Sequence, residues 1–214
     1  MVLNKKKTKC IPFINSKTKD FVPQISLGDG NYLEVIYQLK LVGLVITSEL
    51  SWEEHVQYTV SRVNKIIWQL SRFKKLGASR DKLITFYVLK IRSILMFAAV
   101  CFHSSLNNEL SHKLELQQKR CLAVILGPQY RSYANALSVT SLSRLDTLRS
   151  EACLKWALAA QQNPLHTDLF KLNKSEINTR ERKKYQEYFC RTVKYFTSPV
   201  PYMTRLLNAY EQEK

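Results

Sequence analysis

"KLVGLVITSELSW" (residues 40–52) decides the fold, because the spacing of apolar residues changes within it. Upstream, Leu33, Val35 and Tyr37 alternate with Glu34 and Gln38, the two-residue period of a half-buried strand. Residues 39–46 are more continuously apolar and are interrupted by Gly43, which reads as a bulge or a close backbone approach. From Ser51 the period becomes helical: Trp52, Val56, Val60, Val63, Ile67 and Leu70 fall on one face. Ser51-Trp52-Glu53-Glu54 has the form of a capping box, in which Ser51 caps the Glu54 amide and the Glu54 carboxylate reaches back. Gly77 is the expected stop.

Working outward, "KCIPFI" (residues 9–14) predicts a short strand, and Gly28-Asp29-Gly30 a turn. Downstream, Ser79 opens a second helix. Its Leu83, Phe86, Tyr87, Ile91, Ile94, Leu95, Ala98 and Phe102 lie almost all round, as in the central helix of a bundle. A third helix runs from about Asn107 to Leu126, seamed by Leu110, Leu114, Gln117, Cys121 and Ile125, and Gly127-Pro128 ends it. A fourth, over residues 142–160, groups Leu145, Leu148, Ala152, Trp156 and Ala159. Beyond Gln161, residues 164–172 suggest a short helix and 174–194 a charged, partly helical stretch. The Pro-containing tail from Ser198 reads as irregular. The expected fold is α+β, mainly α. A short N-terminal antiparallel β-hairpin region (1–50) precedes a thumb-like helical bundle (51–161) and a basic, partly helical extension (162–214).

Lys and Arg number 33 against 17 Asp and Glu, and the net charge of +16 is spread along most of the chain rather than in one tail. That is the electrostatic footprint of a nucleic-acid binder. The five cysteines form no CxxC pair, so zinc and a disulfide framework are not expected, and reduced thiols point to an intracellular protein, nuclear or cytoplasmic. The longest apolar stretch, residues 83–102, carries Lys90 and Arg92 near its middle, which argues for a protein core over a bilayer and against a membrane partner. His166-Thr167-Asp168 has the spacing of an iron-oxygenase ligand pair, but no histidine follows to complete the site. No nucleophile motif and no small-molecule site is evident.

Several short patterns then fall in one order. They are "LNKKKTK" (3–9), "KLVGLVIT" with "LSWEEHV" (40–56), "YVLKIRSILMFAA" (87–99), "LELQQKRCLAVILG" (114–127), and "YANAL" with "LSRLDTLRSEACL" (133–154). Together they resemble the palm end and thumb of the reverse transcriptases of non-LTR, LINE-like retrotransposons, over roughly residues 3–172. The departures are Val42 where leucine is usual, Met96-Phe97 where Glu-Tyr is common, and Arg149-Ser150 in place of paired arginines.

The resemblance implies a fragment of an RNA-directed DNA polymerase. The family's metal-binding aspartate pair is expected upstream of Leu3, so the chain is not expected to catalyse on its own, and Mg belongs only to an intact parent enzyme. In this chain Asp20, Asp29, Asp81, Asp146 and Asp168 stand apart from other carboxylates, whereas phosphoryl transfer needs carboxylates that share metal ions. Lys7 would be a vestigial proton donor or pyrophosphate contact, with Asn4 and Thr8 shaping its turn. The hairpin bearing Lys40 and Gly43 would grip a primer strand. Lys65, Arg72, Lys74, Lys75, Arg80, Lys82, Arg92, Lys119 and Arg120 would bind an RNA–DNA or DNA duplex through its backbone. Two alternatives stand beside this: a non-enzymatic helical protein-interaction module, and a mis-split gene piece whose upstream part supplies the aspartates of an active enzyme.

Overall fold

The computed structural model describes residues 4, 8–13, 23–26, 30, 32–173 and 183–213, and these are mainly helical. The chain forms two compact units, Met1–Thr59 and Val60–Lys214, dividing inside the first long helix rather than at 50/51 and 161/162 as expected.

In the first unit, β1 (Lys9–Cys10) pairs in parallel with β2 (Glu34–Val35), and Lys9 and Glu34 form an ion pair. β3 (Gln38–Leu41) and β4 (Leu44–Thr47) form an antiparallel hairpin with Leu41 opposite Leu44. The loop is therefore Val42-Gly43, with φ values of 47° and 91°. Positive φ at both central residues is what a type I′ hairpin turn requires. Gly43 is thus a corner of the turn and not a bulge within a strand. The apolar run looks unbroken only because Val42, a turn residue, is itself apolar and 85 % exposed.

The helix α1 (Glu53–Lys75) follows. Its start differs from a capping box. The Ser51 hydroxyl accepts from the Glu53 amide at 3.3 Å, and the Ser51 amide donates to Thr47 Oγ1 at 3.0 Å, occupying the donor that Glu54 was expected to reach. His55 is buried, and the amide of buried Val45 donates to its Nδ1 at 3.4 Å. The Trp52 ring meets His55 edge-on at 6.0 Å. The imidazole acts here as an acceptor, and burial lowers its pKa, both favouring the neutral ring.

In the second unit, α1 buries Val63, Ile67 and Leu70. The expected single central helix is divided. α2 (Arg80–Phe86) widens into a π-helical stretch, Tyr87–Arg92, continues as α3 (Ser93–Met96), and breaks at Ala98, whose φ is 52°, before α4 (Ala99–Phe102). The buried residues Leu83, Tyr87, Ile91, Leu95 and Ala99 recur every fourth position. At about 100° per residue, each such step overshoots an α-helical turn by about 40°. A purely α-helical stripe would spiral off the core, and the wider π turn takes up the drift. By length and composition alone, residues Arg80–Ser105 are long and apolar enough to cross a membrane, and 28 % of the qualifying window is buried.

α5 (Asn108–Leu126) starts with Asn107 Oδ1 accepting the Leu110 amide at 2.8 Å and ends at Gly127, φ 57°. α6 (Tyr133–Thr140), not anticipated as a helix, is capped by Ser132 and buries only Ala136 and Thr140. α7 (Leu145–Gln162) buries Leu145, Arg149, Cys153, Ala157 and Ala160, a stripe displaced by one residue from the expected grouping. Apolar residues surround this helix, so composition did not select a face. In place of a short helix at 164–172 there is a single 3₁₀ turn, Thr167–Leu169. The tail expected to be irregular is instead α8 (Val193–Phe196) and α9 (Pro199–Gln212). Pro199 occupies the first helical turn, where a missing N–H costs nothing. Met203 and Leu207 of α9 share a core with Cys153, Ala157, Ala160, Phe170 and Tyr185, so the hydrophobic cluster crosses the expected boundary at 161.

Candidate nucleic-acid interface

Opposite the buried stripe of α1, Lys65, Trp68, Arg72, Lys75 and Leu76 are all exposed. Their spacing (i, i+3, i+7, i+10, i+11) puts them on one helical face. The Arg72 guanidinium lies 5.5 Å from the Trp68 ring centre, and Trp68 is 65 % exposed. After the Gly77 turn, exposed Arg80 and Lys82 extend the cations into α2. The Arg80 side chain also reaches Gln129. Phe73 and Phe86 meet edge-to-face at 5.0 Å across this corner and fix the angle between the helices. The result is a rigid ridge of cations interleaved with exposed apolar groups. It is suited to meeting phosphates and sugars, which position a duplex without reading its sequence.

A buried polar network holds the helices beneath it. The Tyr87 hydroxyl donates to Gln118 Oε1, and Gln118 Nε2 donates to Tyr133 Oη and the Ser143 carbonyl, each at 2.9 Å. The Tyr133 hydroxyl in turn donates to Glu115 Oε1, which also accepts the Leu145 amide at 3.3 Å. Burial raises the pKa of both tyrosines, which stay protonated as donors. Arg149, fully buried, donates through Nη2 to Ser111 Oγ at 3.0 Å and through Nε to His103 Nδ1 at 3.3 Å. Burial and the neighbouring Arg149 charge depress His103 to about 4. The network spans α5, α6, α7 and the π-helical stretch. Residue periodicity did not reveal it, because Glu115, Gln118 and Arg149 are polar side chains inside the core.

The other expected binding residues divide by role. Lys74 does not face outward: its Nζ donates to the carbonyls of Val124 (2.5 Å) and Ile125 (3.1 Å). A cation at the C-terminal end of α5 satisfies carbonyls that lack helical partners and complements the helix dipole. Lys74 therefore serves as a cap. Arg120 donates to Asn64 Oδ1 at 2.7 Å and Gln117 Oε1 at 3.1 Å, tying α5 to α1 from an exposed position. Lys119 lies half-buried with its Nζ 5.1 Å from the Tyr133 ring centre. Arg92 is half-buried on the π-helical stretch, where its charge acts on the Tyr87 phenol.

In the first unit, Lys40 Nζ donates to Tyr58 Oη at 2.6 Å while lying 4.3 Å from that ring's centre. Gly43 sits at the hairpin tip. The Thr8 amide and hydroxyl both donate to the Asn4 carbonyl, at 3.1 and 2.9 Å. Lys7 lies outside the described residues.

Among the described residues, no group of three or more His, Cys, Asp or Glu side chains is placed to hold a metal ion. Asp146 is held in a two-pronged pair by Arg144, which depresses its pKa, and Asp81 and Asp168 lie on separate elements. These carboxylates do not fit a shared-metal site. No family model, no curated protein and no solved structure matches the chain.

Proposed function

We propose that the chain is a thumb-type module of a LINE-like reverse transcriptase, with the end of its palm, that holds an RNA–DNA or DNA duplex by backbone contacts. The observation that carries this reading is the exposed cationic ridge Lys65–Arg72–Lys75, continued by Arg80 and Lys82, on the face of α1 opposite its buried stripe. Supporting it, residues that carry the family resemblance do structural work together. His55 ties β4 to α1, and Tyr87, Gln118 and Glu115 join through Tyr133. In this reading the chain supplies grip and no chemistry of its own, and any divalent metal belongs to an intact parent enzyme.

The test neutralises the ridge without touching the core. The combined Lys65→Gln, Arg72→Gln, Lys75→Gln variant should melt like wild type and lose duplex affinity to the same degree for unrelated sequences. A helical module that binds protein partners predicts duplex binding that is absent, or unchanged by the substitutions.

A further inference from the structure

A second feature lies in residues 188–205, far along the chain from the ridge. Phe189 is 82 % exposed, Phe196 48 % and Tyr195 44 %. Each phenylalanine carries an arginine: Arg191 lies 6.0 Å from the Phe189 ring centre, and Arg205 only 3.7 Å from that of Phe196. The Arg205 guanidinium is fixed there by donating through Nη2 to the Phe196 carbonyl at 2.9 Å. The two segments are joined: the Tyr188 and Tyr195 rings meet edge-to-face at 6.4 Å, and the Tyr188 hydroxyl donates to the Leu169 carbonyl at 2.7 Å. Thr192 Oγ1 caps α8 by accepting the Tyr195 amide at 3.2 Å. Phe189 and Phe196 thus each stand one residue beyond an anchored tyrosine. No acidic residue occurs from Tyr188 to Tyr210.

We propose that this surface is a stacking platform for single-stranded nucleic acid, in which bases lie on Phe189 and Phe196 while Arg191 and Arg205 take phosphates. Exposed rings paired with guanidinium groups are what sequence-tolerant single-strand binding uses: every base has a π-face and every linkage a charge. The absence of acidic residues from Tyr188 to Tyr210 favours an anionic partner, and the exposed rings, Phe196 with the Arg205 guanidinium over one of its faces, favour a planar one. A lipid surface fits less well. α8 is a single turn and α9 buries Met203, Thr204, Leu207 and Asn208, leaving no long apolar helix face to enter a bilayer.

The experiment uses the full chain and a fluorescein-labelled 12-mer of oligothymidylate, read by anisotropy, with a labelled duplex alongside. The platform predicts that wild type binds the single strand. Phe189→Leu with Phe196→Leu, which keeps apolar bulk but removes the rings, should weaken it about tenfold or more. Phe189→Trp with Phe196→Trp should retain it, and duplex affinity should hold in all variants. Unchanged melting by circular dichroism confirms that the leucine variant is folded. Absence of single-strand binding by wild type, or equal binding by the leucine variant, overturns the proposal and leaves the duplex reading standing. So does loss of binding to phosphatidylserine vesicles in that variant with oligothymidylate unaffected.

Discussion

Lys74 and Lys75 are adjacent cations with different jobs. Replacing Lys74 by Met removes two charge-assisted hydrogen bonds, to the Val124 and Ile125 carbonyls. Such bonds contribute about 1.5–3 kcal/mol each when well shielded, and the cation at the helix end adds about 0.3–1 kcal/mol. Lys74 is half-buried, so water replaces part of what is lost. The net cost should be about 2 kcal/mol, discounting for that exposure. For a domain of this size that lowers Tm by about 4–8 °C in calorimetry. The slope of log affinity against log salt for a duplex should not move. Lys75→Gln should do the reverse: Tm shifts by no more than about 0.5 kcal/mol equivalent, and the slope flattens by about 0.9. Wild-type melting of Lys74→Met, or an equal change of salt slope in both variants, would contradict these two roles.

Three further outcomes follow from local geometry. Val42 holds φ 47° at the tip of the hairpin, a strained position for a β-branched residue, whereas Asn-Gly suits this turn. Val42→Asn should stabilise the hairpin by about 1 kcal/mol, seen as slower amide exchange in β3 and β4. Gly127→Ala would place a Cβ 2.5 Å from Lys74 Nζ at φ +57°. It should cost about 1–2 kcal/mol, with less lost in a Lys74→Met background by double-mutant cycle in thermal unfolding. His103 titrates near 4 when folded, against 6.5 in the unfolded chain. The folded state therefore binds fewer protons between those values. The stability from a neutral His103 is complete above pH 6.5 and lost as pH falls toward 4. The change is about 2 kcal/mol after discounting for partial exposure. A pH series of Tm should show it, and His103→Asn should flatten that decline.

The change of period at Ser51 and the stripe of Val56, Val63, Ile67 and Leu70 could be read directly, because these apolar residues recur on one face of α1 at helical spacing. The α5 seam was equally plain, and Asn107 and Gly127 marked its ends. The break at Ala98 was not, since an alanine in left-handed conformation has no compositional mark. The four-residue spacing from Leu83 to Ala99 is the available signal, and it is shared with an ordinary apolar helix. On α7 the surplus of apolar positions hides the buried face, and one of the five buried residues, Arg149, is charged. At the site, α1 periodicity separated the outward Lys65, Arg72 and Lys75 from the core. It did not separate Lys74, because a cap depends on where another helix ends. Trp68, on the same ridge, lies off the apolar stripe of α1, and Arg72 four residues on is the sequence signal for it.

Titration of the full chain against a 20-base-pair RNA–DNA hybrid across salt concentrations tests the account most directly. A duplex held by Lys65, Arg72, Lys75, Arg80 and Lys82 should give a straight fall of log affinity with log salt, of slope about −3 to −5, the same for unrelated sequences. No binding at low salt, or binding that ignores salt, would contradict it.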